Sequence, residues 1–169
     1  MDPDVERTGD AARAARVPPR WFITTAWRVH RALYRVTGGR FGLRRPSRVY
    51  GMMRLHTLGR RSGRERVAIV AYFEDGPNLV TMAMNGWGEP APAWWLNLQA
   101  HPDATVDLPG SERRRVVARR AVGAERARLW EVLRGLVEGD QDLDDLAALR
   151  SRETPVVVLE PVPTGSAVA

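Results

Sequence analysis

The sequence predicts a mainly β protein of the α+β class: a barrel of about six short antiparallel strands with a few helices around it. Three observations predict it. Short apolar or β-branched runs recur at near-regular spacing, among them Val67–Phe73 and Pro155–Leu159. Turn pairs punctuate them, notably Asp75-Gly76 and Pro109-Gly110. The regular strand–helix alternation of a doubly wound sheet is missing before residue 92.

The elements follow in order. Residues 1–17 are charged and alanine-rich, lack aromatics and end at Pro18-Pro19, so a disordered tail is expected. A single domain then spans 18–162, and residues 163–169 form a second flexible tail. From Arg20 to Val36 the residues Phe22, Ala26, Val29, Leu33 and Val36 recur at helical spacing, while Arg28, Arg31 and Arg35 line another face. Thr37-Gly38-Gly39 stops this amphipathic helix, because glycine adopts the left-handed conformation cheaply. The helix is read as packed on the barrel. Peripheral contact of residues 20–36 with an anionic membrane stands as the alternative.

Strands are expected at Met52–Thr57, Val67–Phe73 and Leu79–Met84, with a glycine-bounded turn at Gly59–Gly63. Pro92–Ala100 reads as a helix with proline in its first turn. Ala104–Leu108 and Arg115–Ala121 read as a hairpin. Ala124–Val137 is a helix with Ala127, Trp130, Leu133 and Val137 on one face. A short helix at Asp144–Arg150 and a final strand at Pro155–Leu159 complete the chain.

Composition narrows the chemistry. Hydrophobic residues make up 44% of the 169 positions, enough to bury a core. Cysteine is absent, which removes disulfides, thiolate metal sites and cysteine nucleophiles together; no metal site is expected. All 26 basic residues are arginine. Every cation is therefore a planar fork suited to phosphate and carboxylate, and none is an amine nucleophile. The net charge of +6 favours an anionic partner. The first twenty residues mix Asp2, Asp4, Glu6 and four arginines without an apolar run, so no secretory leader is expected and the protein is placed in the cytoplasm. There is no GxGxxG and no phosphate-loop motif.

Two segments carry the functional signal. In Thr57-Leu58-Gly59-Arg60-Arg61-Ser62-Gly63-Arg64-Glu65-Arg66, two glycines frame a tight turn whose backbone N–H groups can point at an anion. Arg60, Arg61, Arg64 and Arg66 can supply forked contacts, and Ser62 a hydroxyl. By itself this says anion site. A nucleic-acid surface would need aromatic platforms beside the turn, but the tryptophans lie elsewhere, at Trp87, Trp94 and Trp95, so no nucleic-acid partner is expected. The second segment runs from Met82 to Leu98. A strand ends, a glycine-containing loop follows at Asn85–Gly88, and a helix begins with paired tryptophans. Trp94 and Trp95 project about a hundred degrees apart on a helix, so one can be core while the other lines a cleft. His56 is read as a strand histidine facing solvent or packed locally, with general acid as the alternative, and His101 as a helix terminator.

Together the segments resemble the deazaflavin (F420)-dependent nitroreductase family, mycobacterial-type enzymes on the flavin-binding split β-barrel. The likeness covers residues 25–162. It is carried by His30-Arg31-Ala32-Leu33-Tyr34-Arg35 with Thr37-Gly38-Gly39, Thr57 through Gly63, Asn85-Gly86, Pro92-Ala93-Trp94 with Asn97-Leu98, His101-Pro102 and Thr154 through Pro161. The resemblance implies coenzyme F420, rather than FMN, as cofactor. It places Arg60, Arg61, Ser62, Gly63 and Arg66 at the phosphodiester and acidic tail, and Val67, Ala68, Ile69, Val70 and Ala71 beside the linker and ring. Met82, Ala83, Met84 and Asn85, with Ala93, Trp94, Trp95, Leu96 and Asn97, would frame the ring. Residues 135–153 contain no tyrosine, Trp95 stands where the family has tyrosine, and Met84 where it has a small polar residue. No catalytic side chain is assigned.

The activity implied is hydride transfer from the reduced deazaflavin to a flat lipophilic acceptor: a quinone, an enone or a nitro compound. Met84, Trp87 and Trp95 would make the substrate wall apolar. The alternative is a non-catalytic carrier or sensor that binds F420 or a flavin. A homodimer is left open.

Overall fold

The computed structural model describes residues 43–163 apart from 48, 87 and 137–141. The expected N-terminal tail, the 20–36 helix, Trp87, Val137 and residues 164–169 lie outside the described residues. Six strands are present: β1 (Gly51–Leu58), β2 (Glu65–Asp75), β3 (Asn78–Met82), β4 (Asp103–Leu108), β5 (Glu112–Arg120) and β6 (Val156–Pro161). They close into a barrel in the order β1-β2-β3-β6-β5-β4, with every neighbouring pair antiparallel. Among the described residues three helices accompany them: α1 (Ala93–Ala100), α2 (Gly123–Leu136) and α3 (Leu143–Ala148).

Side-chain alternation along each strand sorts residues between two cores. The barrel interior holds Met53, Leu55, Val70, Tyr72, Leu79, Val106, Val116, Val157 and Leu159, all at most 7% exposed. Leu55 lies opposite Ala68 on one side and Val106 on the other, so each inward position meets another. Trp94, Trp95 and Leu98 join this cluster, so α1 packs into the barrel interior, against β1, β2 and β5. The second core lies under α2 and α3, where Phe73, Val80, Val156 and Val158 meet Leu129, Trp130, Leu133 and Leu143.

Local chemistry sets the turns. Asp75 pairs with Asn78, leaving Gly76 and Pro77 as the two-residue loop, and Gly76 takes φ of 60°. Leu108 pairs with Glu112 around Pro109–Ser111, with Gly110 and Ser111 both at positive φ.

Several expectations change. The third strand stops at Met82 rather than Met84: the Ala83 amide still meets the Pro155 carbonyl (2.9 Å), but proline has no N–H to return a bond, and the Met84 amide turns back to the Met82 carbonyl (3.0 Å). The second and fifth strands begin earlier, at Glu65 and Glu112, where charged side chains alternate outward. Pro92 is the N-cap of α1 rather than a residue of its first turn. On α2 the buried stripe is Leu129, Trp130 and Leu133; the Arg126 guanidinium lies 5.0 Å over the Trp130 ring, and Ala127 is exposed.

Candidate functional site

The β1–β2 hairpin must reverse between Leu58 and Glu65, which face each other across the ladder. It does so through a tight turn. The Gly59 amide donates to the Arg64 carbonyl (2.8 Å), and the Ser62 and Gly63 amides donate to the Gly59 carbonyl (3.1 and 2.8 Å). Gly63 sits at φ of 60°, a conformation that L side chains enter at a cost. A Cβ on Gly59 would lie 2.8 Å from Ser62 Oγ and 3.0 Å from the Arg64 carbonyl oxygen, so this corner is closed to any side chain.

This geometry corrects one expectation. Five of the turn's amides are spent within the protein rather than offered to an anion. Those of Gly59, Ser62 and Gly63 close the turn, the Arg64 amide reaches Ser62 Oγ (3.4 Å), and the Arg60 amide reaches Asn97 Oδ1 (3.2 Å). What the turn offers a ligand is its side chains. Arg60, Arg61, Ser62, Arg64 and Arg66 are all exposed. Arg66 donates to Ser62 Oγ at 3.3 Å and Arg60 to Asn97 Oδ1 at 3.4 Å. Among the described residues none of these four guanidinium groups is held by a carboxylate. Several arginines elsewhere are paired with carboxylates: Glu125 and Glu160 hold Arg119, and Asp75 holds Arg128 through two 2.8 Å bonds. The turn is therefore a local excess of positive charge with forked donors facing solvent.

The strand that follows splits by parity. Val67, Ile69 and Ala71 lie on the outer side of β2, with Val67 43% exposed, while Ala68 and Val70 pack into the barrel interior. The loop after β3 is tied down at several points. Arg150 Nη1 donates to the Ala83 carbonyl (3.2 Å) and to Thr154 Oγ1 (2.9 Å). Met84 N bonds the Met82 carbonyl, and Gly88 N bonds the Asn85 carbonyl. The Glu89 carboxylate accepts from both the amide and the hydroxyl of Ser151 (2.7 and 2.8 Å), which hold it below the usual carboxylate range. Met82 and Met84 are half-buried and Asn85 is exposed.

In α1, Ala93 is exposed, Leu96 half-buried, and Trp94, Trp95 and Asn97 buried. The two indoles meet edge to face at 6.5 Å and 68°. The expected division into one core ring and one cleft ring does not hold. Both rings are buried in the interior cluster, because the helix sits where the barrel encloses two of its faces. No side chain caps the N-terminus of α1.

A groove of about 240 Å³ lies on the outer side of the barrel, lined by His56, Leu58, Glu65, Thr105 and Arg115 among others. His56 is packed locally there, as expected: Nε2 lies 2.9 Å from Asp107 and Nδ1 3.3 Å from Glu65. His101 is the C-cap of α1, its amide bonding the Asn97 carbonyl.

The structure thus joins the arginine turn to α1 directly through Asn97. Sequence reasoning missed two features. Arg150 looks like any arginine in a polar stretch, and no local signal distinguishes it from Arg152. Nor does any local signal show that the Asn97 side chain bonds Arg60 and Thr57.

Residues 26–161 match the family described as F420H(2)-dependent quinone reductase. The F420H(2)-dependent quinone reductase Rv1261c of Mycobacterium tuberculosis H37Rv is 32% identical over 134 residues, covering 78% of this chain and 87% of that protein. A solved structure of an F420-H2 dependent reductase, FDR-A, superposes with a TM-score of 0.55 at 24% identity, covering 70% of this chain and 100% of that one. A second solved chain, described as a domain-swapped dimer, superposes at 0.58 with 25% identity, covering 81% and 99%.

Proposed function

The chain belongs to the F420H(2)-dependent quinone reductase family, and from that premise we infer that it reduces a quinone-class acceptor with F420H2. The observation that carries the reading is the group of four exposed guanidinium groups at residues 60–66, free of carboxylates among the described residues and anchored on α1. That arrangement fits a cofactor with a phosphate and glutamate tail, since a polyanion needs a cluster of fixed cations.

Arg60, Arg61, Arg66 and Ser62 would hold the tail, with Gly63 giving the turn its shape. The outer side of β2, at Val67, Ile69 and Ala71, would lie along the linker. Met82–Asn85 and the uncapped start of α1 would border the ring, with Met84 on the acceptor side. When bound, the reduced deazaflavin supplies a hydride, so that a quinone with one added proton leaves as the hydroquinone. The protein's part is to fix the tail, hold the 82–85 loop through Arg150 and limit access of water to the ring.

The test is to mix purified protein with F420H2 and a soluble naphthoquinone under anaerobic conditions and follow recovery of the oxidised cofactor's absorbance. Turnover above the protein-free rate supports the reading. Cofactor binding without turnover on quinones, enones or nitro compounds would make the protein a carrier.

A further inference from the structure

Three hydrogen bonds converge on one buried side-chain amide, and a fourth extends the chain of bonds. Asn97 is 4% exposed. Its Oδ1 accepts from the Arg60 amide (3.2 Å) and from Arg60 Nη1 (3.4 Å), and its Nδ2 donates to Thr57 Oγ1 (3.1 Å). The Thr57 hydroxyl in turn donates to the Arg66 carbonyl (3.4 Å). One side chain from α1 therefore reaches both limbs of the turn, at residue 60 leaving β1 and at residue 66 within β2.

We propose that Asn97 is a positioning residue that locks the arginine turn onto α1 and thereby sets the affinity for the anionic tail of the cofactor, acting through Arg60. The inference rests on the functional reading above and deepens it. An exposed arginine samples many rotamers and loses that freedom when it grips an anion. Arg60 is already tethered at its backbone and its guanidinium, so part of that loss is met by folding. The tether is itself rigid, because both acceptor positions of the Asn97 oxygen are occupied in a dry site. The same helix carries Trp94 and Trp95 in the barrel interior, so the turn is referenced to the most rigid part of the molecule rather than to a free hairpin end. Removing the amide releases the turn while the strands keep their register.

The experiment compares two ligands by fluorescence titration: F420 with its phosphate and glutamate tail, and the same deazaflavin riboside without it. Asn97→Ala is expected to weaken the tailed ligand by about tenfold and leave the tail-less one within about twofold. Thr57→Val, which removes both the acceptor for Asn97 Nδ2 and the donor to the Arg66 carbonyl but leaves the Arg60–Asn97 bonds, is expected to give the same selective loss at about threefold. If Asn97→Ala does not fold, Thr57→Val decides alone. Equal weakening of both ligands, or no change in either, overturns the proposal. A wild-type protein that binds neither ligand overturns the functional reading itself, a result distinct from failure of the tether.

Discussion

The Arg150 guanidinium donates to the carbonyl oxygen of Ala83 across 67 residues of sequence. The side chain is buried, and Thr154 Oγ1 takes a second bond from the same nitrogen. A permanent charge inside a protein is costly unless its donors are used. Here Nη1 meets two neutral acceptors while Nε is buried without a hydrogen-bond partner among the described residues, and the Nη1 bonds fix the loop bordering the proposed ring site to the approach to β6.

Arg150→Met is accordingly expected to destabilise the fold by about 1–3 kcal/mol, the cost of leaving buried acceptors unsatisfied. Amides of residues 83–86 should exchange faster with solvent in the variant. Urea unfolding followed by circular dichroism, with hydrogen exchange, checks both. An unchanged or raised midpoint would show that burying the cation costs as much as its bonds return.

The Asp75 carboxylate carries a linkage prediction. Its forked bonds with Arg128 hold its carboxyl below the usual carboxylate range and join the β2–β3 hairpin to α2. A depressed folded-state value means that protons bind the unfolded chain more readily. The stabilisation is present in full above the unfolded value of about 3.9 and is lost as pH falls through the lower folded value. Asp75→Asn should lower the urea midpoint at pH 7, and the gap from wild type should narrow as pH falls below the unfolded value and close once the folded-state carboxyl is protonated. A gap that stays constant from pH 7 to pH 2 would assign the effect to packing.

At the alkaline end Tyr72 dominates. Burial in the barrel interior, and next the charge of Glu74, push its phenol above the usual tyrosine value. The folded state therefore resists ionisation, and its advantage falls as pH rises above about 10, where the unfolded chain ionises freely. Ultraviolet titration should show one tyrosine that ionises late and together with unfolding. Tyr72→Phe should remove that late step. Early, smooth ionisation of every tyrosine would contradict the buried position.

The arginine turn predicts a salt signature. Arg61→Ala, which leaves the Arg60–Asn97 contacts in place, should weaken F420 by about tenfold at low ionic strength and by less at about 0.5 M salt, where fixed charge is screened. The double variant Arg60→Ala with Arg61→Ala should be weaker still, with a flatter salt dependence. Titrations at several salt concentrations measure this. Wild-type affinity in the double variant would put the anion site elsewhere.

Much of the barrel was legible because alternation and turn chemistry are local. The run Val67–Phe73, the strand at 156–159 and the Asp75-Gly76 turn announce themselves without any knowledge of neighbours. Strand ends were less readable. Glu65 and Arg66 look like turn residues, and only pairing with Leu58 and Thr57 extends the strand through them. Ala83 and Met84 look like strand, but the residue opposite Ala83 is Pro155, which cannot return a ladder bond, and the Met84 amide turns back on Met82. The site was legible as an arginine cluster between glycines. Its mechanics were not. Whether the turn's amides face a ligand or close on themselves depends on where Asn97 sits, 37 residues from Arg60. The burial of both tryptophans likewise depends on α1 entering the barrel, which no helical wheel reveals.

The ladder register of β1 against β2 has an implication for how this hairpin can vary in length. Leu55 and Val70 point inward while His56 and Ile69 point outward, and the pairing of Leu58 with Glu65 leaves six residues to make the bend. Adding or deleting one residue there without a compensating bulge would slide the strands by a single position and exchange a dry leucine for a histidine flanked by two carboxylates. The bend is thus constrained in size by the barrel as much as in composition by the anion site proposed for it, and single-residue insertions at 60–64 should be rejected by the fold before any effect on binding can be seen.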